Sequence, residues 1–254
     1  MKNKTWQKWT LEEIELLKTH WKSSSMEELL NQFPNRNYNS LMLKAQSLGI
    51  KSEIQRKRKG SLDFLDSINL KSAYWWGFIM ADGHLTKKGE LIIQLNKRDE
   101  NHLNKLALLL NSKTNTIKED YVILRVQDKN FGKKWLNIFN INTPKTYTPP
   151  NLSIFYNKEL LLSFFIGLID GDGCIWESKK WLNLRIELHG NWLNELQIIS
   201  NHLKSMYDID SKVKMTKRGT SKIDINTKKD LKILKDYIKN SECLERKWSR
   251  LDSL

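Results

Sequence analysis

Two hydrophobic rhythms alternate along the chain. From Thr10, apolar positions recur at helical spacing (Ile14, Leu17, Trp21) behind a Thr10–Glu13 pair that fits a capping box. Ser25 and Glu28 repeat the device, and Pro34 closes that second helix. Tyr38, Leu41, Met42, Ala45 and Leu48 mark one face of a third helix, ended by Gly49. Beyond residue 70 the rhythm changes to apolar helices separated by short stretches of period two. In "YVILRVQD", Val122, Leu124 and Val126 oppose Ile123, Arg125 and Gln127; in "WLNLRIELH", Leu182, Leu184, Ile186 and Leu188 oppose Asn183, Arg185, Glu187 and His189. A further polar set follows at Lys212, Lys214, Lys222, Asp224 and Asn226.

Most of this later region is written twice. "WWGFIMADG" (75–83) aligns with "FIGLIDGDG" (165–173) at the glycine, the last aspartate and the last glycine, so that Asp82 and Asp172 correspond. With the motif as its first helix, each half reads helix–strand–strand–helix–strand–strand–helix. A repeat this long is a duplicated fold with a pseudo-twofold axis rather than a solenoid. The fold class expected is α+β: two αββαββα halves (71–150 and 151–254) with antiparallel sheets, preceded by a small three-helix domain (1–50) and a basic linker (51–70).

The motif poses a chemical problem. Gly77 and Ala81 stand four apart, as do Gly167 and Gly171, a spacing that lets two helix backbones approach closely. If the helices pair in parallel, their C-terminal ends converge and bring Asp82 together with Asp172. Two carboxylates at the negative ends of two helices repel each other. A divalent cation resolves the conflict, and hard oxygen ligands with retained water suit Mg²⁺.

Composition sharpens the picture. Lys plus Arg number 43 against 29 Asp plus Glu, a net charge of +14. The excess is spread as +6, +4 and +4 over residues 1–60, 61–150 and 151–254, which fits a polyanion held along an extended surface. The alternating strands offer donors and acceptors suited to base edges and phosphates. Two cysteines make no disulfide framework, so a reducing, intracellular setting is expected. No apolar run is long enough for a membrane span. Histidines 20, 84, 102, 189 and 202 show no metal spacing, and Trp135 and Trp192 read as core residues. "DGDGCIWES" is a poor calcium loop, because Cys174 and Trp176 stand where oxygen ligands are needed.

Residues 72–250 resemble the LAGLIDADG homing endonucleases in their single-chain, two-motif form. The resemblance implies a DNA-binding saddle built from the two sheets, with the motif helices at the interface between halves and packed through Gly77 and Gly167. It implies that Asp82 and Asp172 bind the metal, helped by the carbonyls of Ala81 and Gly171, with Mg²⁺ as cofactor and Mn²⁺ able to substitute. It places a basic residue near each scissile phosphate, here Lys145 and Lys247, with Lys97 a weaker candidate for the polar group around the attacking water. The DNA-facing set becomes Arg125, Gln127, Asn183, Arg185, His189, Lys212, Lys214, Lys222 and Asn226.

The resemblance also implies a site-specific double-strand break with short 3′ overhangs in double-stranded DNA, made by a monomer. Residues 9–50 resemble Myb/SANT-like modules, a helix-turn-helix whose third helix offers Asn39, Ser40, Lys44 and Ser47 to a DNA groove. Two departures stand out. Met80 replaces the acid that the second copy keeps as Asp170, and Asp170 is expected at a helix-end surface. Trp75 and Trp76 replace smaller residues, so the first motif helix is expected to pack less tightly at its start. An RNA-splicing maturase or a DNA-binding regulator on the same scaffold remains the alternative.

Overall fold

The computed structural model describes residues 8–36, 38–52, 62–117, 119–178 and 181–254. The chain divides into two compact units, 1–58 and 59–254. The smaller contains α1 (Leu11–His20), α2 (Met26–Gln32) and α3 (Tyr38–Ser47). Both capping boxes form reciprocally. The Glu13 and Ser25 backbone amides bond to Thr10 Oγ1 and Glu28 Oε2, while those of Thr10 and Glu28 bond to Glu13 Oε2 and Ser25 Oγ. Leu17, Trp21, Leu29, Phe33, Leu41 and Ala45 form this unit's own core. Met42, expected on the buried face, is 40% exposed, because Leu41 and Ala45 take the inward positions.

The larger unit carries the repeat. It runs α4 (Asp63–Asp66), α5 (Leu70–Asp82), β1 (His84–Leu85), β2 (Leu91–Asn96), α6 (Glu100–Leu109), β3 (Thr114–Ile117), β4 (Tyr121–Val126) and α7 (Lys129–Phe139). The second copy follows as α8 (Lys158–Asp172), β5 (Cys174–Ser178), β6 (Trp181–His189), α9 (Leu193–Tyr207), β7 (Lys212–Met215), β8 (Thr220–Ile225) and α10 (Lys228–Ile238), with a short α11 (Glu245–Trp248). The sheets have the same order, β1-β2-β4-β3 and β5-β6-β8-β7, with every pairing antiparallel. The fold class is therefore α+β with two matched halves. Of the expected linker, residues 53–61 lie outside those described. Residues 62–70 are not linker but packed structure, since Leu65 is 3% exposed in the core and Lys134 pairs with Asp66.

α5 and α8 form the centre of this unit, and glycine sets their separation. A Cβ added to Gly77 would stand 2.0 Å from the Phe164 carbonyl oxygen; one added to Gly167 would stand 2.0 Å from that of Tyr74. The contacts are reciprocal, as a twofold axis requires. They also advance together along both helices: Ser163 Oγ donates to the Leu70 carbonyl at 2.7 Å, and Gly171 lies against Ala81. The helices therefore run side by side in the same direction. Trp75 and Trp76, expected to loosen the start of α5, are both 0% exposed. They do not loosen it, because both are packed in the core, Trp75 beside His102 and Phe78 of its own half and Trp76 beside Phe64, Phe139 and, from the second half, Phe155.

Gly77→Ala or Gly167→Ala forces backbone apart from backbone, and each should cost about 3 kcal/mol or more in urea unfolding. Gly219→Ala is the control. It faces open space at φ +77 and should lose only about 1 kcal/mol through local strain. Similar small losses at all three positions would contradict the close-packed centre.

Candidate active site

The last turns of α5 and α8 meet. A Cβ on Gly171 would lie 2.2 Å from that of Ala81 and 3.3 Å from the Asp82 amide nitrogen. Asp82 and Asp172 thus end neighbouring parallel helices, as their motif positions suggest. Burial first, and the charge of Asp172 second, push the Asp82 carboxyl up to about 6. Asp172 exposes more of its surface, and its carboxyl is raised in the same direction by burial. Both helix ends add carbonyl dipoles of the same sign.

Two ammonium groups meet these ends. Lys145, in a 3-10 turn (Lys145–Tyr147), donates to the carbonyls of Met80 and Ala81, the latter at 2.9 Å. Lys247, on α11, donates to the carbonyls of Ile169 (2.8 Å), Asp170 (2.7 Å), Gly171 (3.3 Å) and Gly173 (2.7 Å). Burial lowers both lysines, and Asp82 and Asp172 act in the opposite sense on each. The two lysines hold equivalent places despite their different distances along the chain from the acids. Lys97 is exposed at the start of a 3-10 turn (Lys97–Asp99), and among the described residues no hydrogen bond ties its side chain to the site.

The donor set bears on the metal the motif implies. Two carboxylates disfavoured as a charged pair at oxygen-rich helix ends are hard ligands that a divalent cation would relieve. Among the described residues no group of three or more His, Cys, Asp or Glu forms a fuller cage, so most of the coordination sphere would be water. The carbonyls of Ala81 and Gly171 are less free than expected, because each already accepts from a lysine. Asp82 and Asp172 fit the ion; the two carbonyls compete with an ammonium for it.

Asp170 is not at a helix-end surface. It is 2% exposed, and its carboxylate accepts from Tyr74 Oη (2.8 Å), the Leu244 amide (2.6 Å) and Trp248 Nε1 (2.7 Å). Tyr74 has one proton and gives it to Asp170, so the 2.7 Å contact to His102 Nε2 makes His102 the donor. Burial pushes His102 down to about 4, so it is neutral at neutral pH. This chain joins α5 to α8 and fixes the segment carrying Lys247. Arg246 adds a bidentate pair to Asp99 at 2.8 Å on each arm.

The sheet faces beside the site hold most of the expected DNA-facing residues. Arg125, Gln127, Lys212, Lys214 and Asn226 are exposed; Asn183, Arg185 and His189 are half-buried. Asn183 Nδ2 donates to the Trp181 carbonyl, and His189 stacks edge-on with Tyr147 at 4.8 Å. Lys222 departs from its expected role: it is 8% exposed and ion-paired with Asp224 at 2.9 Å, so it braces the sheet rather than standing free on that face. In the smaller unit Asn39, Ser40 and Lys44 lie on α3, with the Lys44 ammonium 5.9 Å from the Trp9 ring centre; the Asn39 side chain lies outside the described set.

A model of the LAGLIDADG endonuclease family matches residues 165–252. No curated protein matches the chain. Similar solved structures include the meganuclease I-SmaMI bound to uncleavable DNA, at 10% identity over 73% of this chain and 87% of that one, TM-score 0.49. The LAGLIDADG homing endonuclease I-GzeII in complex with its DNA target is similar at 13% identity over 72% and 89%, TM-score 0.47. The N-terminal LAGLIDADG domain of DUF199/WhiA is similar at 20% identity over 73% and 94%, TM-score 0.44. No described helix is long and apolar enough to cross a membrane.

An acid raised in the fold favours the fold below its unfolded value and loses that advantage as pH rises through its folded value. For Asp82 the window runs from 3.8 to about 6, so above it the ionised acid strains the metal-free protein. Asp82→Asn should therefore stabilise the chain at pH 8 in EDTA by about 1–2 kcal/mol, after allowance for solvent screening. The gain should vanish below pH 4. Urea titrations at both pH values check this, and destabilisation at pH 8 would place Asp82 in a structural role.

Proposed function

We propose that the chain is a site-specific DNA endonuclease of the homing type, making a metal-dependent double-strand break with short 3′ overhangs. The observation that carries this is the meeting of Asp82 and Asp172 at the joined helix ends, each end held by a lysine. A protein that only binds DNA gains nothing from paired acids beside phosphate. A nuclease needs them to gather cations where charge develops. The net charge of +14 attracts the duplex, and the two sheets continue directly from the acids, β1 from Asp82 and β5 from Asp172.

In this reading the acids divide the two strands between them, one scissile phosphate beside each helix end. Asp82 and Asp172 would hold the ion and orient the attacking water. Bound there, Mg²⁺ or Mn²⁺ would supply Lewis acidity for phosphodiester hydrolysis. Lys145 and Lys247, whose charge the acids favour, can turn from the helix carbonyls toward phosphate oxygens, stabilising charge as it forms. With both acids on one chain, a monomer suffices. The three-helix unit would add contacts through Asn39, Ser40 and Lys44 on α3, lengthening the recognised site.

Incubating the purified chain with a randomised duplex library in Mg²⁺ should yield discrete double-strand cuts, abolished by EDTA and restored by Mn²⁺. Asp82→Asn and Asp172→Asn should each slow cleavage of one strand by about 100-fold or more, leaving nicked product. Tight binding with no cut by the wild type in either metal would sink the nuclease reading and put a maturase or regulator in its place.

A further inference from the structure

The two sheets match register for register, and the match exposes a difference at one position. In the second sheet Leu184 stands opposite Ile225 and Arg185 opposite Asp224. In the first, Leu91 stands opposite Val126 and Ile92 opposite Arg125. The place of the Arg185–Asp224 pair is thus taken by Ile92–Arg125. Among the described residues no ion pair holds Arg125, whereas Arg185 is held from two sides. Its Nε donates to Asp224 Oδ1 at 2.5 Å, and its guanidinium carbon lies 5.2 Å from the centre of the Trp176 ring.

Asp224 is itself 6% exposed and also pairs with Lys222 at 2.9 Å, so the three side chains together keep one positive charge. Among the described residues no hydrogen bond holds the two terminal amino groups of the fork, and the planar guanidinium keeps them in one plane. That is the donor pair able to engage guanine O6 and N7 together in the major groove. A side chain already fixed loses little freedom on binding, which favours selectivity over general phosphate contact.

We propose that Arg185, oriented by Asp224 and Trp176, reads one guanine in the half-site facing the second sheet. The proposal rests on the DNA-binding reading above and adds the base and the residue that selects it. Asp224 is a positioning residue. Arg185 pairs with Cys174, which lies two residues, at most about 7 Å of chain, beyond Asp172. At 3.4 Å per step the guanine should therefore fall within about four base pairs of the cut.

The test is sequence enrichment by the full chain from a randomised duplex pool, with calcium as the divalent ion. Wild type should fix a guanine near the centre of one half-site. Arg185→Ala should relax that single base pair by roughly 10- to 100-fold and leave the others selected. Arg185→Lys keeps the charge but not the fork and should relax the same base pair. Asp224→Asn should weaken preference at that base pair alone. If wild type enriches a site and both Arg185 variants keep its guanines, this proposal falls while DNA recognition stands. If the variants lose affinity equally for all sequences, Arg185 is a phosphate contact and the proposal also falls. If wild type binds no duplex, the nuclease reading fails first and this one with it.

Discussion

The approach of two helix backbones across Gly77 and Gly167 sets the rest of the larger unit. Each glycine faces a carbonyl of the other helix at a distance no side chain could occupy. The helices run parallel, so their C-terminal dipoles and their terminal aspartates are driven together rather than apart. The scaffold thereby fixes an electrostatic conflict that the fold alone does not relieve. Burial adds to it, and Asp82 records the sum as a carboxyl pushed to about 6.

Lysine partly answers this conflict. Lys145 and Lys247 sit where helix carbonyls crowd, and each offsets one dipole end. The ammonium groups and the acids stabilise one another, yet burial works against all four charges. Such a cluster contributes little to folding; in the proposed function a phosphate entering with a divalent ion would satisfy every member at once. The uneven grip matters here: four carbonyls hold Lys247 and two hold Lys145. Asp170 then pins the Lys247 segment through Leu244 and Trp248, whereas Met80 offers the first half no such anchor.

Local signals carried far in the sequence. β4 (Tyr121–Val126) and β6 (Trp181–His189) fall where alternation predicts strands, both N-terminal capping boxes close on their expected partners, and the doubled motif locates Asp82, Asp172 and the glycines between the helices. What stayed hidden depends on partners distant in sequence. Asp170 reads as a surface acid because Tyr74, Leu244 and Trp248 lie 96, 74 and 78 residues away. The mismatch between Asp170 and Met80 was the available signal. Alternation assigned Lys222 and Asp224 to the outer face but could not show that they neutralise each other there. Bulk alone suggested that Trp75 and Trp76 would make the start of α5 pack less tightly; the rings that receive them, His102, Phe139 and Phe155, lie 27 to 79 residues away.

Constraint on this duplicated fold weakens with distance from its axis. At the centre the two copies cannot differ, since a side chain at either glycine would collide with the opposite backbone. One turn further, Ala81 faces Gly171 and a single methyl of asymmetry is tolerated. At the lysines the geometry is kept and the bonding differs. On the sheets even charge diverges, with Ile92 and Arg125 standing where Arg185 and Asp224 do. A symmetric centre suits a reaction repeated on two antiparallel strands. Dissimilar sheets suit a target whose two halves are not alike, and a single chain can combine them because each half mutates without its twin.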